Sequence, residues 1–278
     1  MRRIGYNSLA AMVLAVGLLT SAIAFAQGDG RTCPGNTPTP NGAIVTTRVF
    51  NDCPTSIVSS SNLYPASITI DDVGNDCFGG ANRHVWHLSD DGGQTAAKFE
   101  NCSHYRFGAH VVLTHSGAPV NFEAGLLLSP WWSIADGQFM INGSGEIACF
   151  GGRLPFYSFT VNYGLHYVPG TNIYLEYTYN PRGLSSALPA TILYHVFYNG
   201  QNYYSPYLPF DQGTASEDPP HGLWGELYPA SPGGYLHGNN GQGVASDVHA
   251  TWDGFQFEGP SATPAQSATW GRMKTLYR

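Results

Sequence analysis

Few residues in this chain fall in spacings that chemistry requires. Four carboxylates, Asp211, Glu217, Asp218 and Glu226, lie within sixteen residues. Such a pair cleaves a glycosidic bond only when held about 5–5.5 Å apart for retention or about 6.5–9.5 Å apart for inversion. No neighbour signals the pKa tuning such a pair needs, so surface solvation is their expected role. Asp71, Asp72, Asn75 and Asp76 place four oxygen-bearing side chains within six residues, a density that suits a structural Ca²⁺. The spacing is not that of an EF-hand loop, and a solvated Asp/Asn turn accounts for the same residues. His84 and His87 sit three apart, which on a strand sends them to opposite faces and rules out one shared metal. His-Glu-x-x-His, Gly-x-Ser-x-Gly and Cys-x-x-Cys are absent, as is a glycine-rich phosphate loop. A His/Tyr pair could serve as acid and base in a polysaccharide lyase. With ten His and seventeen Tyr, however, such pairs arise by chance, and structural histidines are the expectation. No catalytic residue is assigned, and no cofactor is required.

Aromatic residues are the stronger lead. Trp131 and Trp132 follow Ser129-Pro130, and Tyr203, Tyr204, Tyr207, Trp224, Tyr228 and Tyr235 lie in or near C-terminal loops. Aromatic faces stack on the C–H faces of sugars while amides and carboxylates bond the hydroxyls, the mixture that concave ligand sites use. Trp132, Tyr203, Tyr204, Tyr207 and Trp224 are therefore expected to stack on a neutral glycan, with Asp211 and Gln212 bonding its hydroxyls. Ordinary sandwich packing uses the same residue types.

The elements that position these residues follow from the rest of the chain. Arg2 and Arg3 precede an apolar run from Leu9 to Ala24, and Ala24-Phe25-Ala26 fits a signal-peptidase site. Residues 1–26 thus read as a signal peptide and the protein as secreted, extracellular or periplasmic. The run is short for a bilayer span, and no second one follows, so no membrane association is expected after cleavage. Loss of Arg2 and Arg3 takes the formal charge from −7 to −9, which disfavours nucleic acid and anionic lipid. Export permits disulfides. The five cysteines leave at least one unpaired. Cys33–Cys53 and Cys77–Cys102 are the preferred pairs, each near in sequence and flanked by turn residues. Cys149, in the apolar stretch Glu146–Phe150, reads as a buried thiol.

Residues 27–42 are rich in Gly, Pro, Thr and Asn and read as a flexible leader. From Ala43 onward, short apolar or alternating runs recur about every ten residues between turn residues. Strands are expected at 43–50, 67–72, 83–89, 107–114, 120–128, 138–142, 145–150, 155–161, 171–179, 190–198, 201–205, 222–228 and 247–258. In 172–179, Ile173, Leu175, Tyr177 and Tyr179 share one face, and Tyr174 and Glu176 the other. Asn199-Gly200, between two such runs, is the strongest hairpin signal. No helical period with caps is evident. One domain over 43–260, with a C-terminal extension at 261–278, accounts for the pattern.

Two segments resemble a known family. Phe122–Leu128 looks like a central strand, and Ala250–Glu258 like the closing strand, of concanavalin A-like jelly rolls. The resemblance implies an all-β, single-domain, antiparallel jelly-roll sandwich with a concave face where related modules hold glycans. The Glu-x-Asp-x-x-Glu strand of the glucanase branch is absent. Separately, Ser89–Thr95 resembles the Asp-box, a turn whose aspartate has a structural role; its closing aromatic is replaced by Ala96. The leading expectation is non-catalytic recognition of a neutral glycan. The alternatives are a structural exported or envelope protein, and a polysaccharide hydrolase or lyase without a recognisable motif.

Overall fold

The computed structural model describes residues 38–99, 104–116, 122–129, 137–151, 154–181, 190–210, 231–240 and 243–259. The strands are β1 Gly42–Asn51, β2 Ile57–Asn62, β3 Ser67–Asn75, β4 Gly80–Ser89, β5 Tyr105–Ser116, β6 Glu123–Ser129, β7 Gln138–Asn142, β8 Ile147–Phe150 and β9 Tyr157–Ser158. A single helical turn, α1 Phe159–Tyr163, precedes β10 Ile173–Asn180, β11 Thr191–Tyr198, β12 Gln201–Tyr204, β13 Leu208–Pro209, β14 Ser231–Asn240 and β15 Ser246–Glu258. They form two antiparallel sheets. The first runs β1-β4-β14-β6-β7-β8-β9; the second runs β12-β11-β10-β5-β15-β3-β2, with β13 beside β11. The molecule is an all-β jelly-roll sandwich.

Period-two patterning builds the core. Tyr105, Phe107, Ala109, Val111 and Leu113 of β5 point inward beside Ile173, Leu175, Tyr177 and Tyr179 of β10. Trp86 of β4 meets Phe107 and Trp252 edge-on, at ring-centre distances of 6.0 and 5.9 Å. Gly234 of β14 lies beneath both indoles: a Cβ there would stand 2.4 Å from Trp86 Nε1 and 2.8 Å from Trp252 Nε1. Only a residue without a side chain fits.

A buried polar plug also joins the sheets. Asp72 of β3 accepts from Asn82 Nδ2 at 2.9 Å and faces His84 Nε2 at 3.3 Å, both on β4. The Arg48 backbone N–H donates to His84 Nδ1 at 2.9 Å, so a neutral His84 carries its proton on Nε2, toward Asp72. Burial alone would raise the Asp72 pKa, but bonds from His84, Ser56 and Asn82 outweigh it and hold the carboxyl below its ordinary value.

Among the described residues the strand expectations hold for most elements, that at 222–228 lying outside them, and Asn199 (φ 52°) and Gly200 (φ 76°) form the expected hairpin turn between β11 and β12. Three findings differ. The 155–161 run ends in α1, because Ser158 caps it through a 3.1 Å bond from Val161 N, and Gly164 closes it at φ 65°. The whole of β14 was unforeseen, as was the edge strand β2. The disulfide is Cys53–Cys77, which corrects both expected pairs, Cys33–Cys53 and Cys77–Cys102. Pairing of β1 with β4 carries the end of β1 to the β3–β4 turn: Asp52 N bonds Ala81 O, and Cys53 N bonds Asn82 Oδ1. Closeness in space therefore overrides closeness in sequence. Cys33 and Cys102 lie outside the described residues. Cys149 is the buried free thiol foreseen, with its pKa raised by that burial.

Candidate functional site

The outer face of the first sheet gathers side chains that no sequence motif announced. Strand register sets three rows across β4, β14, β6 and β7. Arg83, His237, Glu123 and Asn142 form one; Val85, Tyr235, Gly125 and Met140 the next; His87, Gly233, Leu127 and Gln138 the third. The Arg83 guanidinium lies 4.6 Å from the centre of the Tyr235 ring. The Tyr235 hydroxyl donates to Glu123 Oε2 at 3.4 Å, and His237 Nδ1 faces the same oxygen at 3.9 Å. His237 Nε2 and Gln138 Oε1 are buried polar atoms without a hydrogen-bond partner among the described residues. Val85, Leu127, Met140, Ala148 and Tyr235 pack as a second apolar cluster, with Val49 and Phe150 at its margin.

Electrostatics on this face follow from that closure. Burial pushes the Tyr235 phenol well above its ordinary value, and Glu123 adds to the shift while Arg83 opposes it, so the phenol stays protonated. Burial lowers His87 to about 4, which keeps it neutral. The face therefore gathers a guanidinium, a protonated phenol, an amide and an imidazole with one unpaired nitrogen, their polar atoms largely buried. Those are the groups needed to hold a sugar carboxylate and to move a proton beside it.

The outer face of the second sheet is different. Glu176 on β10 accepts from the Tyr174 hydroxyl at 2.7 Å, with His195 Nδ1 at 3.4 Å and Arg106 Nη1 at 3.6 Å. Burial alone would raise Glu176, but the His195 and Tyr174 bonds and the Arg106 charge outweigh it and hold the carboxyl below its usual range. His195 Nε2 meets Asn202 Oδ1 at 2.8 Å, and the Tyr204 ring lies parallel to the His195 ring at 4.4 Å.

The residues expected from sequence are dispersed. Tyr204 belongs to this second-sheet face, whereas Tyr203 packs edge-on against Tyr163 at 5.2 Å, and Tyr207 is exposed beyond β12. Trp132, Asp211, Gln212 and Trp224 lie outside the described residues. Asp71, Asp72, Asn75 and Asp76 do not converge. Asp71 bonds Ser59 and His249 on the outer face, Asp72 points into the core, Asn75 is buried, and Asp76 lies by the disulfide. Alternation along β3 is the reason. Asp91 ties the Ser89–Thr95 turn, accepting from Ser89 Oγ, Gln94 N and Thr95 N.

Sequence reasoning missed Arg83, Glu123, Gln138 and His237 and named Tyr235 only among the aromatics near C-terminal loops, so none of the five was read as a site residue. Two of them lie on β14, whose Ser-Pro-Gly-Gly-Tyr-Leu-His-Gly sequence reads as a loop. The available signal was the alternation of Tyr235 and His237 with the inward positions Gly234, Leu236 and Gly238.

No family model and no curated protein compared with this chain matches it. Among solved structures, the chain is similar to the alginate lyase from Klebsiella pneumoniae at 7% identity and a TM-score of 0.46, over 78% of this chain and 95% of that one. It is also similar to the alginate lyase from Corynebacterium sp., at 9% identity and a TM-score of 0.45, over 78% and 94%. The Emp47p carbohydrate recognition domain aligns at 10% identity and a TM-score of 0.37, over 80% and 90%. Identities this low carry no residue-level correspondence, so the two faces described above stand on their own geometry.

Proposed function

We propose that this exported chain acts on carbohydrate, and that the outer face of the first sheet is built for β-elimination from a uronate-containing glycan. The observation that carries this reading is the pairing of Tyr235 and His237 on one strand face, both turned toward Glu123 and beside Arg83. In such a reaction His237 Nε2 takes the proton from the carbon next to the sugar carboxylate, with Nδ1 oriented by Glu123. A carbon–carbon double bond forms as the bond to the leaving glycosidic oxygen breaks, and the protonated Tyr235 hydroxyl supplies that oxygen with its proton. Arg83 and Gln138 hold the carboxylate and offset the charge that builds on it. The test is incubation of the full chain with alginate and with pectate, read by the absorbance of the unsaturated product. Product that disappears in Tyr235→Phe and in His237→Gln supports the reading; absence of product on every polyuronide overturns it.

A second reading is recognition without cleavage. It is favoured by the complete burial of Tyr235 and by the bond that engages its hydroxyl with Glu123. Binding of a polyuronide without unsaturated product would select it.

A further inference from the structure

The outer face of the second sheet presents exposed rings on a rigid polar frame, and we infer that it is a holding surface for a neutral glycan, separate from the first-sheet face. The inference does not depend on the elimination reading, because the two sets of residues share no member.

Register places the rings together. His110, Tyr174, Phe197 and Asn202 form one row across β5, β10, β11 and β12, and Gly108, Glu176, His195 and Tyr204 form the next. Phe197 and Tyr204 stand 39% and 48% exposed on neighbouring strands, as diagonal neighbours. Their exposure is fixed rather than loose. Tyr204 is backed by the parallel His195 ring, and His195 is held from both sides by Glu176 and Asn202. Tyr174 can cross to Glu176 only because Gly108 leaves the space: a Cβ there would stand 2.3 Å from the Tyr174 hydroxyl. Rings ordered beforehand lose little entropy when a sugar stacks on them.

Charge selects the class of ligand. Arg106 spends its guanidinium on Glu176 and, at 3.0 Å, on Glu258. Two carboxylates share that one cation, so the frame repels an acidic polymer. The exposed amides Asn172 and Asn202 flank the rings and suit hydroxyls. Aromatic faces and amides, with no spare cation on this face among the described residues, together fit an uncharged sugar chain.

The experiment is affinity electrophoresis of the full chain in gels containing xyloglucan, glucomannan or mixed-linkage β-glucan, with alginate as the acidic probe. At least one neutral gel should retard the protein. Tyr204→Ala should weaken that affinity about tenfold, while Tyr204→Phe, which keeps the ring face, should restore it. Phe197→Ala should weaken it independently, so the test survives misfolding of either variant. Phe78→Ser, at an exposed ring on the β3–β4 turn, should migrate like the unaltered chain. Three results overturn the inference: no retardation in any neutral gel, undiminished retardation of both ring variants, or retardation abolished by Tyr235→Phe but not by Tyr204→Ala. The last would assign the sugar to the first sheet.

Discussion

Tyr235 and Arg83 meet across the β14–β4 pairing, with the guanidinium 4.6 Å from the ring centre and the phenol hydroxyl directed to Glu123 on the opposite neighbour strand. This bridging of three strands fixes the phenol between a cation and a carboxylate. Tyr235→Phe keeps the ring beneath Arg83 and removes only the proton donor. It is expected to lower elimination about 100-fold or more, the usual contribution of a positioned acid. Arg83→Met should raise KM for polyuronide as well, because it removes the cation proposed to hold the carboxylate. The measurement is steady-state kinetics on alginate or pectate, and a Tyr235→Phe rate equal to that of the unaltered chain would exclude this phenol as the acid.

Acid stability should fall in two stages. His87 has a folded pKa of about 4 against an ordinary value of 6.5, so the unfolded chain binds its proton first. Stability is therefore lost as pH falls from 6.5 to 4, by up to about 3 kcal/mol. Asp72 and Glu176 are held below their ordinary values of 3.8 and 4.5, so their contribution is present above those values and lost as pH falls below them. The Tm measured from pH 8 to pH 3 should show both stages. His87→Gln should flatten the first, and an unchanged profile in that variant would contradict the assignment.

Asp72→Ala should cost about 3 kcal/mol at neutral pH, because it strips Asn82 and His84 of their partner inside the sandwich. Urea unfolding reads this as a lower midpoint. A shift no larger than that of an exposed substitution such as Ser60→Ala would show that the plug contributes nothing.

Gly234→Ala should destabilise by about 1–3 kcal/mol or more through overpacking, since the added methyl meets two rigid indoles. Near-ultraviolet circular dichroism, which reports Trp packing, should change with it. A variant with unaltered Tm and spectrum would refute the close approach.

Thiol chemistry offers a separate check. Non-reducing peptide mapping should link Cys53 with Cys77, and Cys149 should resist alkylation until the chain unfolds, because it is fully buried in the core. A link from Cys53 to Cys33, or rapid labelling of Cys149 in the native protein, would contradict the structure.

The alternation of Ile173, Leu175, Tyr177 and Tyr179, the Asn199-Gly200 turn and the buried setting of Cys149 were legible in the sequence, because strand period and turn chemistry act over a few residues. So was the all-β class. The helical turn at Phe159 was hidden behind a β-like run, and β14 behind its Pro and Gly residues. A glycine-rich segment becomes a central strand only when β4 and β6 are present to pair with both its edges. The disulfide and both candidate faces depend on that same pairing. Arg83, Glu123 and Tyr235 are far apart along the chain, and only strand register sets them side by side. Local sequence thus determined which segments extend and which side chains each turns inward. Long-range hydrogen bonding between strands decided which of the outward side chains meet, because register is a property of two strands and is written in neither alone.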